Sequence, residues 1–183
     1  MKPNRIACLL LLLLLSEMSF SQAISFSYDL AGNRIKRNSA CDLTPTLDIN
    51  GLQFAPAVQR DFVVNIYEIS NQETTGSINL RITKLPAFVI TYPLTNSISN
   101  VFGGKQNQNS DWTFSENANF IFASSKAGTK IQANGKAVIG FNVSRKNGSA
   151  SGISQNISVA VIANSGGEAN PLNNQVVTSI LTN

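Results

Sequence analysis

Residues 78–83 read Ile-Asn-Leu-Arg-Ile-Thr, and this stretch decides the fold class. Its apolar side chains alternate with polar ones, which is the period of a β-strand with one buried and one solvated face. The same alternation returns at 88–92, 137–143 and 157–161. Residues 60–69 are instead apolar on both faces, which predicts a strand in the centre of a sheet.

Turn residues separate these segments. Pro86 ends one strand, Asn147-Gly148 is a tight-turn dipeptide, and Gly166-Gly167 opens the last connection. No segment carries apolar residues at helical spacing over three turns. About seven to nine short strands at this spacing predict an all-β, antiparallel β-sandwich.

The composition argues against most enzyme classes. The chain has 183 residues, of which 13% are charged, against about 25% in an average domain, and it contains no histidine. Most hydrolytic triads, most zinc sites and the commonest general base are therefore excluded. Asp61, Asp111 and Glu116 are candidate catalytic acids by residue type alone. We therefore predict a non-catalytic protein without cofactor or metal, and its net charge of +4 is too small to predict nucleic-acid binding.

The first 23 residues have the pattern of a secretory signal. Lys2 and Arg5 precede an apolar run at 6–15, and small residues up to Ala23 offer a cleavage site. The run has only about half the 20 apolar residues that a membrane span needs. We therefore expect an exported chain, secreted or held at the cell surface, with no membrane span after cleavage.

Residues 24–40 predict a short N-terminal hairpin or arm. Apolar and polar residues alternate from Ile24 to Leu30, and Gly32-Asn33 provides a turn. The stretch from Tyr28 to Arg37 resembles a single YD element of RHS-type secreted proteins. A solenoid or shell needs many stacked copies, so one element does not predict a toxin shell.

The order of the later segments resembles that of bacterial immunoglobulin-like domains of the DUF11 and CARDB type. The matching pieces are DLT at 42–44, DFVVNI at 61–66, ITKLPA at 82–87, NGKAV at 134–138 and GGEANPLNN at 166–174. The resemblance implies an immunoglobulin-like sandwich over residues 41–183 that serves adhesion, scaffolding or protein–protein assembly at a bacterial surface. The implied partner is a cell-envelope protein or a surface glycan.

A long polar segment at 93–110 is the predicted binding loop. It is longer than the usual connection between strands, and long ordered loops often carry function. An aromatic residue beside two flexible glycines could anchor a partner there. The candidate partner-binding residues are Phe102, Gly103, Gly104, Lys105, Gln106 and Asn107.

Two further hypotheses compete with structural explanations. Four aromatic residues could form a sugar-stacking platform, which would support a carbohydrate-binding accessory protein; alternatively they belong to the core and pack across one hairpin. They are Trp112, Phe114, Phe120 and Phe122. Glu168, Asn170, Asn173 and Asn174 could supply oxygen ligands for calcium, although turn chemistry explains them more simply. Cys41 follows the predicted signal as a lone cysteine, and we expect a small, half-buried residue.

Overall fold

The computed structural model describes residues 24–28, 30–32 and 34–183, with backbone only for 24–28 and 34–39. The strands are β1 (Ile24–Tyr28), β2 (Arg34–Ser39), β3 (Leu43–Ile49), β4 (Gln53–Phe54), β5 (Gln59–Glu68), β6 (Asn79–Thr83), β7 (Phe88–Thr91), β8 (Ile98–Ser99), β9 (Lys105–Gln106), β10 (Trp112–Glu116), β11 (Phe120–Ser125), β12 (Lys136–Arg145), β13 (Ser154–Val161) and β14 (Gln175–Thr182). Three 3-10 turns lie at Asn109–Asp111, Ser165–Gly167 and Pro171–Asn173. The predicted signal at 1–23 lies outside the described residues.

Two sheets form the body of the fold. One has four strands in the order β3-β5-β12-β7, and the other has six in the order β10-β11-β6-β13-β14-β4. All neighbouring pairs are antiparallel except β14 and β4, which run parallel. The predicted all-β, immunoglobulin-like antiparallel sandwich is confirmed. The predicted central strand is also found, because β5 lies between β3 and β12.

A separate antiparallel pair of strands, β1 with β2, precedes the sandwich. Gly32 lies between them with a φ of 82°, a backbone conformation that glycine adopts without steric cost. This pairing has the form predicted for 24–40. The division of the chain into an arm at 24–40 and a sandwich at 41–183 stays a prediction.

The core lies between the facing sides of the two sheets. Phe62, Val64 and Ile66 of β5 face Leu80 and Ile82 of β6 as members of one buried apolar cluster. Trp112 is only 3% exposed in that cluster. The predicted assignment of Trp112 to the core is therefore correct, and its indole ring is not available as a surface for sugar stacking.

The four aromatic residues of β10 and β11 point to opposite faces, so the expectation that they pack across their hairpin was wrong. Phe114 lies opposite Ala123, and Phe122 lies opposite Ser115. Phe114 stacks inward on Tyr92, with ring centroids 4.4 Å apart. On the outer face, Phe120 contacts Phe122, their rings tilted by 54°. In a strand the side that a residue faces follows its parity, so these aromatics cannot form one platform.

Candidate functional site

The predicted binding segment lies across the outer face of the four-stranded sheet. We call residues 93–111 the covering loop. Val101 of this loop is buried with Val63 and Val138, which project from the side of β5 and β12 that faces away from the core. The covering loop therefore buries the central strands β5 and β12 on both faces, whereas β7 keeps one exposed face.

Asn109 joins the covering loop to the middle of β12. Its side-chain Nδ2 donates to the Gly140 carbonyl at 2.9 Å, and its Oδ1 accepts the Gly140 N–H at 2.7 Å. The same Nδ2 also donates to the Pro93 carbonyl at 2.7 Å. One buried carboxamide thus satisfies both backbone groups of Gly140, in the way that a neighbouring strand would.

The strands β8 and β9 pair as a short antiparallel hairpin within the covering loop. Asn107, directly after β9, bonds back to the other strand of this hairpin. Its Oδ1 accepts the Ser97 N–H at 3.0 Å, and its Nδ2 donates to the hydroxyls of Ser97 and Ser99. Gly140 makes room for this amide, because a Cβ added there would lie 2.5 Å from the Asn107 Nδ2. A glycine in the centre of an apolar strand therefore marks the place where the covering loop docks.

Phe102 stands at the tip of the loop, 94% exposed. Gly103 and Gly104, which follow it, have φ angles of 78° and 58°, a region that L residues with side chains adopt rarely. Ile98 and Leu94 of the same loop are also exposed. The hairpin therefore presents Phe102 and Ile98 to solvent from a base that buried amides hold in place.

Lys105 ties the hairpin to the edge strand β3. Its Nζ donates to Asp48 Oδ2, and the same oxygen accepts from Asn65 Nδ2 at 3.0 Å. The Lys105 and Asp48 side chains are 28% and 41% exposed, whereas Asn65 is fully buried. The hydrogen bond from Lys105 lowers the pKa of Asp48 against the opposing effect of burial, so the carboxylate is ionised.

The six predicted partner-binding residues therefore divide into two groups. Phe102, Gly103, Gly104 and Gln106 lie on the surface. Lys105 is half-buried in its ion pair, and Asn107 is 1% exposed with its amide committed inside the loop. For Asn107 the prediction needs correction, since a buried side chain with these bonds supports the loop and cannot contact a partner.

The three candidate catalytic acids have separate partners. Asp61 accepts from the Asn142 amide and the Asn100 N–H. Glu116 pairs with Lys84. Asp111 is the last residue of the covering loop's 3-10 turn, and its Oδ1 accepts from the Ser110 hydroxyl. Within the described residues no group of three or more His, Cys, Asp or Glu side chains is arranged to hold a metal ion.

The residues of the calcium hypothesis form the closing turn of the sandwich. Glu168 is buried, and its two oxygens accept the backbone N–H groups of Leu43 and Asn170. Asp42 accepts from the side-chain amides of Asn170 and Asn173. Burial raises the pKa of Glu168, with a further contribution from Asp42. These contacts are the turn chemistry that was the simpler explanation.

A second buried glutamate, Glu68, was missed from the sequence. It accepts the N–H groups of Ser70, Gln72 and Asn134 and the Ser70 hydroxyl. Burial opposes its ionisation, but these hydrogen bonds together outweigh burial and lower the pKa of Glu68. Only a partner 66 positions away completes this arrangement, so local sequence carries no signal for it.

Cys41 lies beside both glutamates as a free, buried thiol. Burial, with Glu68, Glu168 and Asp42 nearby, raises its pKa to about 12. The thiolate is the reactive form of cysteine, so this thiol is inert at neutral pH.

In the described part of the chain no helix is both long and apolar enough to cross a membrane.

Comparisons with known proteins show a distant likeness in fold. No family model matches the sequence, and no curated protein matches it significantly. The chain is similar to the CARDB domain of the PF1109 protein from Pyrococcus furiosus, solved in complex with di-metal ions, at 13% identity and a TM-score of 0.48; the match covers 86% of this chain and 99% of that domain. It is also similar to a cohesin module from a Clostridium perfringens family 33 glycoside hydrolase, at 13% identity, 80% and 98% coverage and a TM-score of 0.49.

A third similar structure is AvmM, which catalyses macrocyclization in alchivemycin A biosynthesis. It shares 10% identity with this chain, the match covers 89% of this chain and 97% of that one, and the TM-score is 0.46. A CARDB domain is thus among the similar structures, as the sequence resemblance suggested, whereas no comparison supports an RHS or YD-repeat element. Because one fold serves unrelated functions, the function has to be argued from the surface of this chain.

Proposed function

We propose that this chain is a non-catalytic, secreted or surface-associated bacterial module that assembles with a cell-envelope protein through the tip of the covering loop. The observation that carries the proposal is Phe102, 94% exposed on a loop whose base is fixed by Asn107 and Asn109. Leaving a phenylalanine ring in water forgoes about 1.5–3 kcal/mol of burial energy. A binding partner would recover it.

The ordered base of the loop is a second feature that favours binding, in addition to the exposure of Phe102. Ordering a flexible loop opposes association, and a loop that is already ordered avoids that cost. Asn109 and Asn107 both form their bonds within the chain, so the hairpin is ordered before any partner arrives. Interface hot spots are typically a few anchors in the centre of a patch, and Phe102 with exposed Ile98 fits that description.

The proposal of a non-catalytic role rests on the chemistry of the side chains. The sequence contains no histidine. The buried carboxylates of Glu68 and Glu168 already accept backbone N–H groups, so they are committed to holding turns. A carbohydrate-binding role would need coplanar exposed aromatics, and the burial of Trp112 and Phe114's inward stacking remove two of the four candidates.

The test is a pull-down from a fractionated cell-envelope extract with wild-type chain, Phe102→Ser and Leu172→Ser. Leu172 is a matched control because it is 87% exposed in a different connection. We expect wild type and Leu172→Ser to recover the same envelope protein, and Phe102→Ser to bind it at least tenfold more weakly, which corresponds to a loss of about 1.4 kcal/mol.

Two results would contradict the proposal. Equal recovery by all three proteins would show that the loop tip is not the contact. Recovery of polysaccharide in place of protein would favour the carbohydrate-binding function instead.

A further inference from the structure

An amine, a carboxylate and a carboxamide meet where the covering loop crosses β3 and β5. Lys105 Nζ and Asn65 Nδ2 both donate to one atom, Asp48 Oδ2. The Asn65 side chain is fully buried and also donates to the Thr46 hydroxyl at 3.2 Å. The amine and the carboxamide nitrogen are thus separated by a single oxygen atom, within a sheet that fixes two of the three groups.

Asn65 has one feature that packing does not explain. Its carbonyl Oδ1 is buried without a hydrogen-bond partner, in contrast to its Nδ2. Buried polar atoms are nearly always paired, and an exception in a folded protein calls for an explanation, such as a reactive role. This observation is independent of the ion pair and concerns the carboxamide that shares its acceptor, Asp48 Oδ2, with the Lys105 amine.

We propose that Lys105 and Asn65 become joined by an isopeptide bond, with Asp48 as the catalytic group that moves the proton. Asp48 takes a proton from the Lys105 ammonium, and the neutral amine attacks Asn65 Cγ. The Nζ–Cγ bond forms and the Cγ–Nδ2 bond breaks. Asp48 returns this proton to Nδ2, which leaves as ammonia, and Asp48 then takes up the second proton that Nζ loses as it becomes the amide nitrogen. Atoms and charge balance, nothing is oxidised or reduced, and the chain itself supplies every reactant.

The protonation states suit these roles. An ionised carboxylate can accept a proton, and the hydrogen bond from Lys105 favours ionisation of Asp48. Moving the proton from Nζ to Oδ2 neutralises both groups, which partial burial favours. Lys136 also acts on Asp48 electrostatically, from β12. Its amine lies over the Tyr67 ring, 5.7 Å from the ring centroid, so Lys105 is the amine in contact with Asp48.

Neighbouring groups held by a fold react far faster than the same groups free in solution, because the encounter has already been made. The other two ion pairs of the described residues lack this arrangement. Lys84 pairs with Glu116 and Lys130 pairs with Glu73, and no buried carboxamide shares either carboxylate. Among these three ion pairs of the described residues, only that of Lys105 combines a half-buried amine with a fully buried carboxamide.

The bond would fasten the covering loop to the sheet covalently, which is independent of whether Phe102 contacts a partner. The test is the mass of the purified full chain, compared with the mass calculated for its observed N-terminus. We expect most molecules to be lighter by one ammonia, and a digest to yield one branched peptide that joins the segments containing residues 65 and 105.

Three variants keep the test decisive. Lys105→Arg preserves a cation beside Asp48 but removes the amine that attacks Asn65. Asp48→Asn removes the carboxylate that moves the proton. Lys130→Arg is the matched control, because the Lys130 ion pair has no carboxamide beside it. The first two should have the full calculated mass, and the control should lose ammonia like the wild type.

Several outcomes would overturn the proposal. Wild-type chain at its full mass, with no branched peptide, would show that the bond does not form. Loss of ammonia that persists in Lys105→Arg would place the reaction elsewhere, for instance at the Asn147-Gly148 turn. Loss of water with a link between Lys105 and Asp48 would show that Asn65 is not the acceptor.

Discussion

Replacing Asn109 with alanine removes three hydrogen bonds at once, two of them buried. The lost bonds are those to the Pro93 carbonyl at 2.7 Å and to both backbone groups of Gly140, at 2.9 and 2.7 Å. The Gly140 N–H is left in an apolar sheet face with no partner, and an orphaned buried group costs about 1–3 kcal/mol. With the remaining unpaired carbonyl groups, we expect the free energy of unfolding to fall by about 2–4 kcal/mol.

Urea titration followed by the fluorescence of Trp112 provides the assay. Trp112 begins β10 directly after the 3-10 turn that contains Asn109, and it is the chain's only tryptophan. The matched control is Asn100→Ala, because Asn100 is exposed and the contact it makes with Asp61 uses its backbone N–H. A change below about 1 kcal/mol in Asn109→Ala, or an equal change in the control, would refute the reasoning, since a typical single hydrogen bond is worth about that much.

Three further predictions concern the docking glycine, a buried acid and the thiol. Gly140→Ala should lower the free energy of unfolding by about 1–3 kcal/mol, because its Cβ would collide with the Asn107 amide. Urea titration measures this change, and an unchanged midpoint would mean that the covering loop moves aside without an energetic cost. Glu68→Gln should destabilise the chain at pH 7 by about 1–3 kcal/mol, since the amide cannot accept all the bonds of the carboxylate. Because folding lowers the pKa of Glu68, its carboxylate stabilises the folded chain fully at pH values above 4.5, the ordinary pKa of a glutamate. This stabilisation is lost as the pH falls through the pKa of the folded state. Titrations at pH 7 and pH 3 should therefore show a smaller difference from wild type at pH 3, and a constant difference would contradict the assignment. Cys41, with its pKa raised to about 12, should resist a thiol reagent at pH 8 in the folded chain and react once urea unfolds it; rapid labelling of folded protein would show that the site opens.

Much of the strand arrangement could be predicted, because alternation reports which side of a strand is buried. Leu80 and Ile82 are buried while Arg81 is exposed, as the pattern at 78–83 indicates. The segment at 93–110 stands out in the sequence by its length, and its exposed tip follows from an aromatic residue beside two glycines, whereas its binding role stays a prediction. These features depend on neighbours in sequence, which is why the sequence alone carries them.

Features that depend on distant partners could not be predicted. Alternation in β12 pointed to one buried face, but the covering loop also buries Val138 and Gly140. Phe120 and Phe122 look like core residues by type, yet they lie on the outer face, where the Arg81 guanidinium stands 5.5 Å from the Phe120 ring centroid. The burial of Asn107 likewise requires the position of Gly140, 33 residues later in a different strand.

The contact between Glu168 and the amide of Leu43 has a consequence for how the protein is made. It joins positions 125 residues apart, and β14 then completes the six-stranded sheet beside β13 and β4. In a ribosome-bound chain that ends before residue 168, the N–H of Leu43 at the start of β3 lacks its acceptor, the Glu168 carboxylate. Because non-local contacts of this kind slow folding, the sandwich should reach its final form only after most of the chain has been synthesised.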